Sequence, residues 1–387
     1  MAMVEDGGKK GRKTTKYLRR LSCFKAADEP AASAGGDGGV GSGERRTPSH
    51  LVVTVNGIIG SAENWRFAKK QFLKKYPEDV IVLCSACNTA TKTLDGIDIM
   101  GERLAKEVMS FITDKPELRR ISFVGHSLGG LIARYAIGLL YEKDVPGAPS
   151  ADNNERDFNA HETQSINKKF EGKIAGLEPM NFITFATPHL GSRFHKQIPI
   201  LGGFSTLEKA AYRTCGILRR TGKHLFLKDN KEGKPPLLLQ MLNDCGDLRF
   251  MSALQSFKRH VAYANACSDL IVGWKTSSIR RKHELPKREN FMKNEKYPHI
   301  VNVEKPNSAN TQQDSFTETM IYQAKSASEM EETMIKGLNR VPWERVDVSF
   351  RRSKQRVFAH STIQVKTYFL NSDGADVIFH MIDYFLL

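Results

Sequence analysis

The sequence predicts an α/β fold, a mostly parallel sheet with helices on both faces. Three observations carry that expectation. Apolar runs recur at residues 51–55, 79–83, 121–124, 180–186 and 261–266, the length of buried strands. Helix-period stretches separate the early runs, so strand and helix alternate as in parallel crossovers. Third, the run at 121–124 passes into Gly125-His126-Ser127-Leu128-Gly129 and then directly into a helical pattern, a strand, sharp turn and helix in immediate succession.

The elements follow in chain order. Residues 1–48 read as a tail, set apart from a folded domain over 49–387. Lys9 to Lys25 hold eight basic residues and no acid, with Tyr17, Leu18, Leu21 and Phe24 interleaved, and an Ala/Gly/Ser-rich linker follows. Such a stretch buries too little apolar area to offset its ordering entropy. It reads as a solvated arm, as a basic amphipathic segment on anionic lipid with Cys23 a candidate acyl site, or as a transit peptide, which Glu5 and Asp6 disfavour.

Strand 51–55 ends in Asn56-Gly57-Ile58-Ile59-Gly60. A helix over 62–75 places Trp65, Ala68 and Phe72 on one side. Strand 79–83 comes next. Ile97, Met100, Leu104, Ala105, Val108, Phe111 and Ile112 then trace an amphipathic helix, with Pro116 beyond its end. After the turn at Ser127, Leu128, Leu131, Ile132, Tyr135, Ala136, Leu139 and Leu140 share one helix face. Residues 144–172 are Asn/Asp/Glu-rich and read as an exposed insertion.

Strand 180–186 leads into Thr187-Pro188-His189-Leu190-Gly191, where His189 would touch substrate or brace the loop, with bracing preferred. Ligands of open α/β sheets gather at such strand ends. Residues 194–250 are helical in tendency and interrupt the alternation, as a lid over an acyl pocket or a sheet-covering helix pair would. Strand 261–266 is followed by Asp269. Residues 305–327 form a second polar insertion. A helix around 330–338, an alternating strand over 343–350, His360 and an apolar helix over 377–387 complete the chain. That last helix is too short to cross a membrane.

Bulk composition bounds the function. The chain has 387 residues, 40% hydrophobic and 26% charged, with net charge +15; these suit a globular protein with a large core. The positive balance attracts anionic surfaces, but no aromatic-basic reader module is present, so nucleic acid is not an expected partner. Six cysteines in this length make no disulfide framework. Cys84 and Cys87 form a lone C-x-x-C without the second pair that zinc requires, and read as strand-end packing. No cofactor and no metal are expected. The first residues lack a signal-peptide core, so the expected location is cytoplasmic, peripheral to membrane through the basic arm, or plastid if the arm is a transit peptide.

A serine hydroxyl is a weak nucleophile without a base, and the base needs an orienting acid. The turn at Ser127 would lift its Oγ clear of the sheet and set the Leu128 amide where an oxyanion forms. The amide of Gly57 or Ile58, after an early strand, is the candidate second donor; a plain strand-to-helix turn is the other reading of that loop. An acid after a late strand and a histidine after the last one give the order Ser127, Asp269, His360, the order of α/β-hydrolases. His260 precedes Asp269, and His283 and His299 precede the last strand, so they fit that order poorly.

The segments 51–65, 123–135, 182–193, 263–280 and 346–365 resemble the eukaryotic putative serine esterase family of α/β-hydrolases. This lipase-like group includes a yeast monoacylglycerol lipase and many plant proteins. Gly-His-Ser-Leu-Gly-Gly is common to many lipases. Thr187-Pro188-His189-Leu190-Gly191-Ser192, and Asp269-x-x-Val272 with Thr276-Ser277-Ser278-Ile279-Arg280, discriminate better. The resemblance implies Ser127 as nucleophile, supports Asp269 and His360 as partners, and implies hydrolysis of an acyl ester, with a glycerolipid as the expected substrate. The family usually has His-Gly where this chain has Asn56-Gly57. That departure and the two insertions keep open a second reading, a catalytically weak scaffold that docks on lipid or protein. Chain length, head group and the choice among lipase, phospholipase and thioesterase are not written in these residues.

Overall fold

The computed structural model describes residues 47–143, 172–192, 218–231, 233–306 and 316–387. The basic tail to residue 46, the insertion at 144–171, the part of the expected lid at 193–217 and residues 307–315 lie outside them. The described residues all belong to one unit, 45–387.

The strands are β1 (His50–Val55), β2 (Val80–Cys84), β3 (Arg120–His126), β4 (Tyr141–Lys143), β5 (Gly172–Ile174), β6 (Glu178–Phe185), β7 (Arg259–Asn265), β8 (Ile300–Glu304) and β9 (Trp343–Val348). Seven of them form one sheet in the order β2-β1-β3-β6-β7-β9-β8. Its pairings are parallel except that of β8 with β9. β4 and β5 pair separately, antiparallel, on either side of the insertion at 144–171. The chain runs from β1 to β2 on one side, then returns to β3 on the other side of β1. That reversal opens a crevice beyond the carboxyl ends of β1 and β3, the place where such sheets bind ligands.

Strand alternation sorts the core into two layers. Leu51, Val53 and Val55 of β1 and Ile121 and Phe123 of β3 face helices α1 (Ile97–Thr113) and α2 (Leu128–Leu140). Val52 and Val124 face the other way, onto Trp65 and Phe72 of the helical segment 62–75 and onto the C-terminal helix Ala375–Asp383. Every residue of β1 is buried. Each fully buried Val, Leu or Phe contributes about 1.5–3 kcal/mol of transfer free energy, so this central strand is fixed from both sides.

Three expectations need correction. β8 was not foreseen: its polar Asn302 and Glu304 broke the apolar run, and it is an antiparallel edge strand tolerant of such residues. β9 alternates in facing, with Val346 and Val348 in the layer of Val52 and Val124, but Asp347 between them is buried as well. Its inner position in the sheet covers both faces. The span 305–327 is not uniformly polar loop, since Thr319–Gln323 is helical and Ile321 is buried in the core.

The described part of the expected lid is bound into the body. Thr221 Oγ accepts the Gly96 N–H at 3.0 Å, and His224 Nδ1 accepts the Ile97 N–H at 3.0 Å. Together they satisfy amide donors that the start of α1 leaves open. Leu238, Leu239, Met241 and Leu242 are buried with α2, where the buried Arg134 donates to the Met241 carbonyl at 3.2 Å. These residues belong to the same buried apolar layer as α2.

Candidate active site

The site begins with backbone forced by close packing. Ser127 caps α2 with φ 54° and ψ −126°, a sparsely populated conformation that costs about 1–3 kcal/mol. Its N–H donates to the Phe185 carbonyl at 2.8 Å. A Cβ on Gly125 would lie 2.6 Å from the Gly130 nitrogen, and one on Gly129 would lie 2.2 Å from the Val55 carbonyl oxygen. Both glycines are required for strand and helix to approach this closely. The turn expected from the Gly-x-Ser-x-Gly spacing is present.

His360 stands on the short helix Ala359–Thr362, after β9. Its Nε2 is 2.9 Å from Ser127 Oγ, and its Nδ1 is 3.0 Å from Asp269 Oδ2. An ionised carboxylate can only accept, so Nδ1 carries the proton and Nε2 is free to accept from the serine hydroxyl. The three residues, up to 233 positions apart in the chain, thus form one connected line.

Asp269 is buried in the turn after β7, reached through Ser268 at φ 63°. Its Oδ1 accepts the N–H groups of Ile271 and Val272, each at 2.9 Å, and its Oδ2 also accepts Asn265 Nδ2 at 2.8 Å. Burial pushes its carboxyl pKa up. The His360 ring and the amide donors outweigh that push, and the carboxyl is held below its ordinary value. Asn265 Nδ2 also reaches the Ala359 carbonyl at 3.3 Å, so one amide touches both the acid and the base's helix.

His126 is a neighbour that the residue order did not reveal. Its Nε2 lies 2.6 Å from the His360 carbonyl oxygen, and the two rings are 4.8 Å apart. A carbonyl only accepts, so Nε2–H donates and Nδ1 is bare. Burial, then the His360 ring, pushes the His126 pKa well down, so it stays neutral and keeps that donor. The only sequence signal was its place immediately before the serine.

The loop after β1 lies against the serine. A Cβ on Gly57 would fall 2.9 Å from Ser127 Cβ. Asn56, buried, donates through Nδ2 to the Asn88 carbonyl at 3.0 Å and to the Gly57 carbonyl at 3.1 Å. Ile59 N–H donates to Thr93 Oγ at 2.8 Å. Asparagine therefore clamps this loop from within. None of the backbone hydrogen bonds that close turns and caps among the described residues uses the N–H of Gly57, Ile58 or Leu128.

The remaining candidates serve structure. His189 is fully buried, with Nε2 3.0 Å from Thr184 Oγ and its ring edge-on to Trp343. The two discriminating motifs bond to each other: Leu190 N–H donates to Thr276 Oγ at 2.9 Å, and that hydroxyl donates to the Gly191 carbonyl at 3.1 Å. His260 bonds the Leu254 carbonyl, and His299 bonds Asp376. Burial raises the Cys84 thiol pKa and pushes that of Cys87 up to about 12, the reverse of a reactive or metal-binding thiolate. Among the described residues no group of three or more His, Cys, Asp or Glu could hold a metal ion, and no helix is long and apolar enough to cross a membrane.

A second buried polar cluster was also missed. Asp347 on β9 is fully buried and accepts Arg280 Nη1 at 2.9 Å, Trp274 Nε1 at 2.6 Å and Asn302 Nδ2 at 2.8 Å. Arg280 continues to Glu304 on β8 at 2.8 Å. An acid set between Val346 and Val348 was the available signal, because a buried charge requires a partner.

The chain is similar to several known proteins. A family model described as "Putative serine esterase (DUF676)" matches residues 45–279. That span contains Ser127 and Asp269 and ends before His360. "Putative lipase ROG1" of Saccharomyces cerevisiae is 32% identical over 237 residues, which cover 59% of this chain and 28% of the yeast protein. "Putative lipase YDL109C" of the same yeast is 28% identical over 235 residues, 60% of this chain and 30% of that protein. The match thus spans less than a third of the length of these relatives. Among solved structures, the mature Bacillus licheniformis lipase BlEst2 is 16% identical with a TM-score of 0.31, over 59% of this chain and 70% of that one. An extracellular alpha/beta-hydrolase from Paenibacillus species is 12% identical with a TM-score of 0.32, over 82% and 98%.

Proposed function

The chain belongs to the putative serine esterase family, and we propose that it cleaves acyl esters through an acyl-enzyme on Ser127, with His360 as base and Asp269 as its orienting acid. One observation carries the residue assignment: the continuous line from Ser127 Oγ through His360 to the buried Asp269 carboxylate.

The steps follow from the atoms in place. Ser127 Oγ attacks the ester carbonyl while His360 Nε2 takes its proton. The imidazolium so formed donates from Nδ1 to Asp269, whose carboxylate is already ionised and held by two amides and Asn265. Negative charge builds on the former carbonyl oxygen, beside the Leu128 N–H and that of Gly57 or Ile58. One such donor is worth about 2.7–4 kcal/mol of transition-state stabilisation. His360 then returns the proton to the departing alcohol. A water takes the alcohol's place and releases the acid by the same path.

A glycerolipid is the substrate class we favour. The yeast relatives carry the name lipase, and the rim of the site is apolar, as described below. The scaffold reading loses its main motive, because Asn56 bonds both its own loop and Asn88. The test is labelling of the full chain by a fluorophosphonate, together with turnover of a panel of esters that varies acyl length and head group. Ser127→Ala is expected to abolish both. Persistent labelling in that variant would remove Ser127 as nucleophile, and a wild-type protein inert on every ester would return the scaffold reading.

A further inference from the structure

Phe369 is 89% exposed, the most exposed large apolar side chain among the described residues. Tyr368 and Leu370 beside it are also exposed, as are Val357 and Phe358, which lie just before His360. These two apolar tips form one stitched surface. Gln355 Nε2 donates to Ser372 Oγ at 3.1 Å, the Asp373 N–H donates to Gln355 Oε1 at 3.1 Å, and Ser353 bonds Asp373. From beneath, Asn371 Nδ2 donates to Thr362 Oγ at 3.0 Å, and Tyr368 stacks on Phe67 at 5.1 Å. The tips are therefore held outward by polar bonds and by one ring stack.

The residues between these tips and β9 are Arg351, Arg352, Lys354 and Arg356, all exposed. None forms an ion pair with a carboxylate among the described residues. Leu270 and Ile271, which follow Asp269, and Ile59 in the loop beside Ser127 add exposed apolar surface around the same mouth. Water-facing aromatic side chains beside unpaired basic ones match the two layers of an anionic bilayer, acyl chains under phosphates.

We infer that the surface formed by residues 351–358 and 367–370 docks the protein on an anionic phospholipid bilayer, with Phe358 and Phe369 entering the acyl layer and the mouth of the Ser127 site facing the membrane. The choice of a lipid surface rests on the ester-hydrolase reading; the surface itself does not. It is distinct from the basic arm before residue 48.

The experiment uses the full chain carrying Ser127→Ala, so that binding is read without hydrolysis, and adds Phe369→Trp as a reporter. Vesicles of phosphatidylcholine with phosphatidylserine should shift the new indole emission to the blue and shield it from acrylamide, and phosphatidylcholine alone should not. Replacing Arg351, Arg352 and Lys354 together by serine should weaken partition roughly 100-fold, about fivefold for each charge. Phe369→Ser should weaken it roughly tenfold, with thermal melts confirming that the variants fold. Emission that stays unmoved while the protein sediments with vesicles would assign binding to the arm and overturn the inference. So would a blue shift without vesicles that grows with protein concentration, which would give the surface to a second copy of the chain. Equal shifts on both vesicle types would overturn the electrostatic part. Insertion that persists in a protein whose Ser127 form turns over no ester would sink the hydrolase reading alone.

Discussion

Two carboxylates, Asp269 and Asp347, are buried near the carboxyl ends of neighbouring strands, and they have opposite kinds of partner. Asp269 and Asp347 are each surrounded by hydrogen-bond donors. Asp269 faces the imidazole of His360, whose second nitrogen bonds Ser127 Oγ. Asp347 faces the guanidinium of Arg280, which carries donors only. The first cluster ends on a hydroxyl. The second ties β9, which leads to His360, to the segment 274–280 that follows Asp269. Burying a carboxylate therefore says little about its role until the partner's chemistry is known.

That contrast can be broken by measurement. The largest effect is expected at the nucleophile. Ser127→Ala should lower kcat on the best ester by roughly 10⁶-fold, with a melting temperature no lower than that of the wild type. Asp269→Asn should follow at roughly 10⁴-fold, because an amide no longer dictates the imidazole tautomer; full activity in that variant would move the acid's role elsewhere. Arg280→Met should act on stability instead. Stranding the Asp347 charge should cost about 3–5 kcal/mol in urea unfolding, while kcat per folded molecule changes only a few-fold. A stable but inactive Arg280→Met protein would erase the distinction between the two clusters.

Smaller effects sharpen the picture. Gly57→Ala should lower kcat by roughly 10²- to 10³-fold, as for one oxyanion donor lost, because a methyl 2.9 Å from Ser127 Cβ would push the 57–58 amides out of position. The weakest lever is pH. His50 is pushed down to about 3, by burial and then Arg120, and His380 to about 4, by burial and then Arg259. Their folded values lie below the unfolded value near 6.5, so between these limits the unfolded chain binds more protons. Stability should therefore be full above about pH 6.5 and fall as pH drops, by on the order of 2 kcal/mol per histidine at pH 5. Urea midpoints at pH 7 and pH 5 test this. The Asp269 carboxyl, held down, contributes in the other window: its share is lost only at still lower pH, as the folded carboxyl itself protonates.

Local chemistry was legible in the sequence, and tertiary partnership was not. Gly125 and Gly129 announced the turn because a Cβ there has nowhere to go. The chain order of Ser127, Asp269 and His360 named three residues that the fold does bring within hydrogen-bond distance. The unbroken apolar runs of β1 and β3 announced strands buried on both faces. By contrast, His126 holds a carbonyl 234 residues away, and Asn56 holds one on a different loop. A side chain's type shows that it needs a partner without saying which. β8 escaped because an edge strand need not be apolar, and the pairing of Arg280 with Asp347 because charge in a strand reads first as exposure.

His360 is secured through its backbone as well as its ring. His126 and Asn265 both grip main-chain carbonyls, those of His360 and Ala359, and neither hold depends on the side chains at 351–358. The ribbon upstream can therefore be rewritten with the catalytic geometry left standing. Exchanging its basic residues for acidic, neutral or glycine-rich sequences should change the surface charge there while the Ser127–His360–Asp269 hydrogen bonds persist.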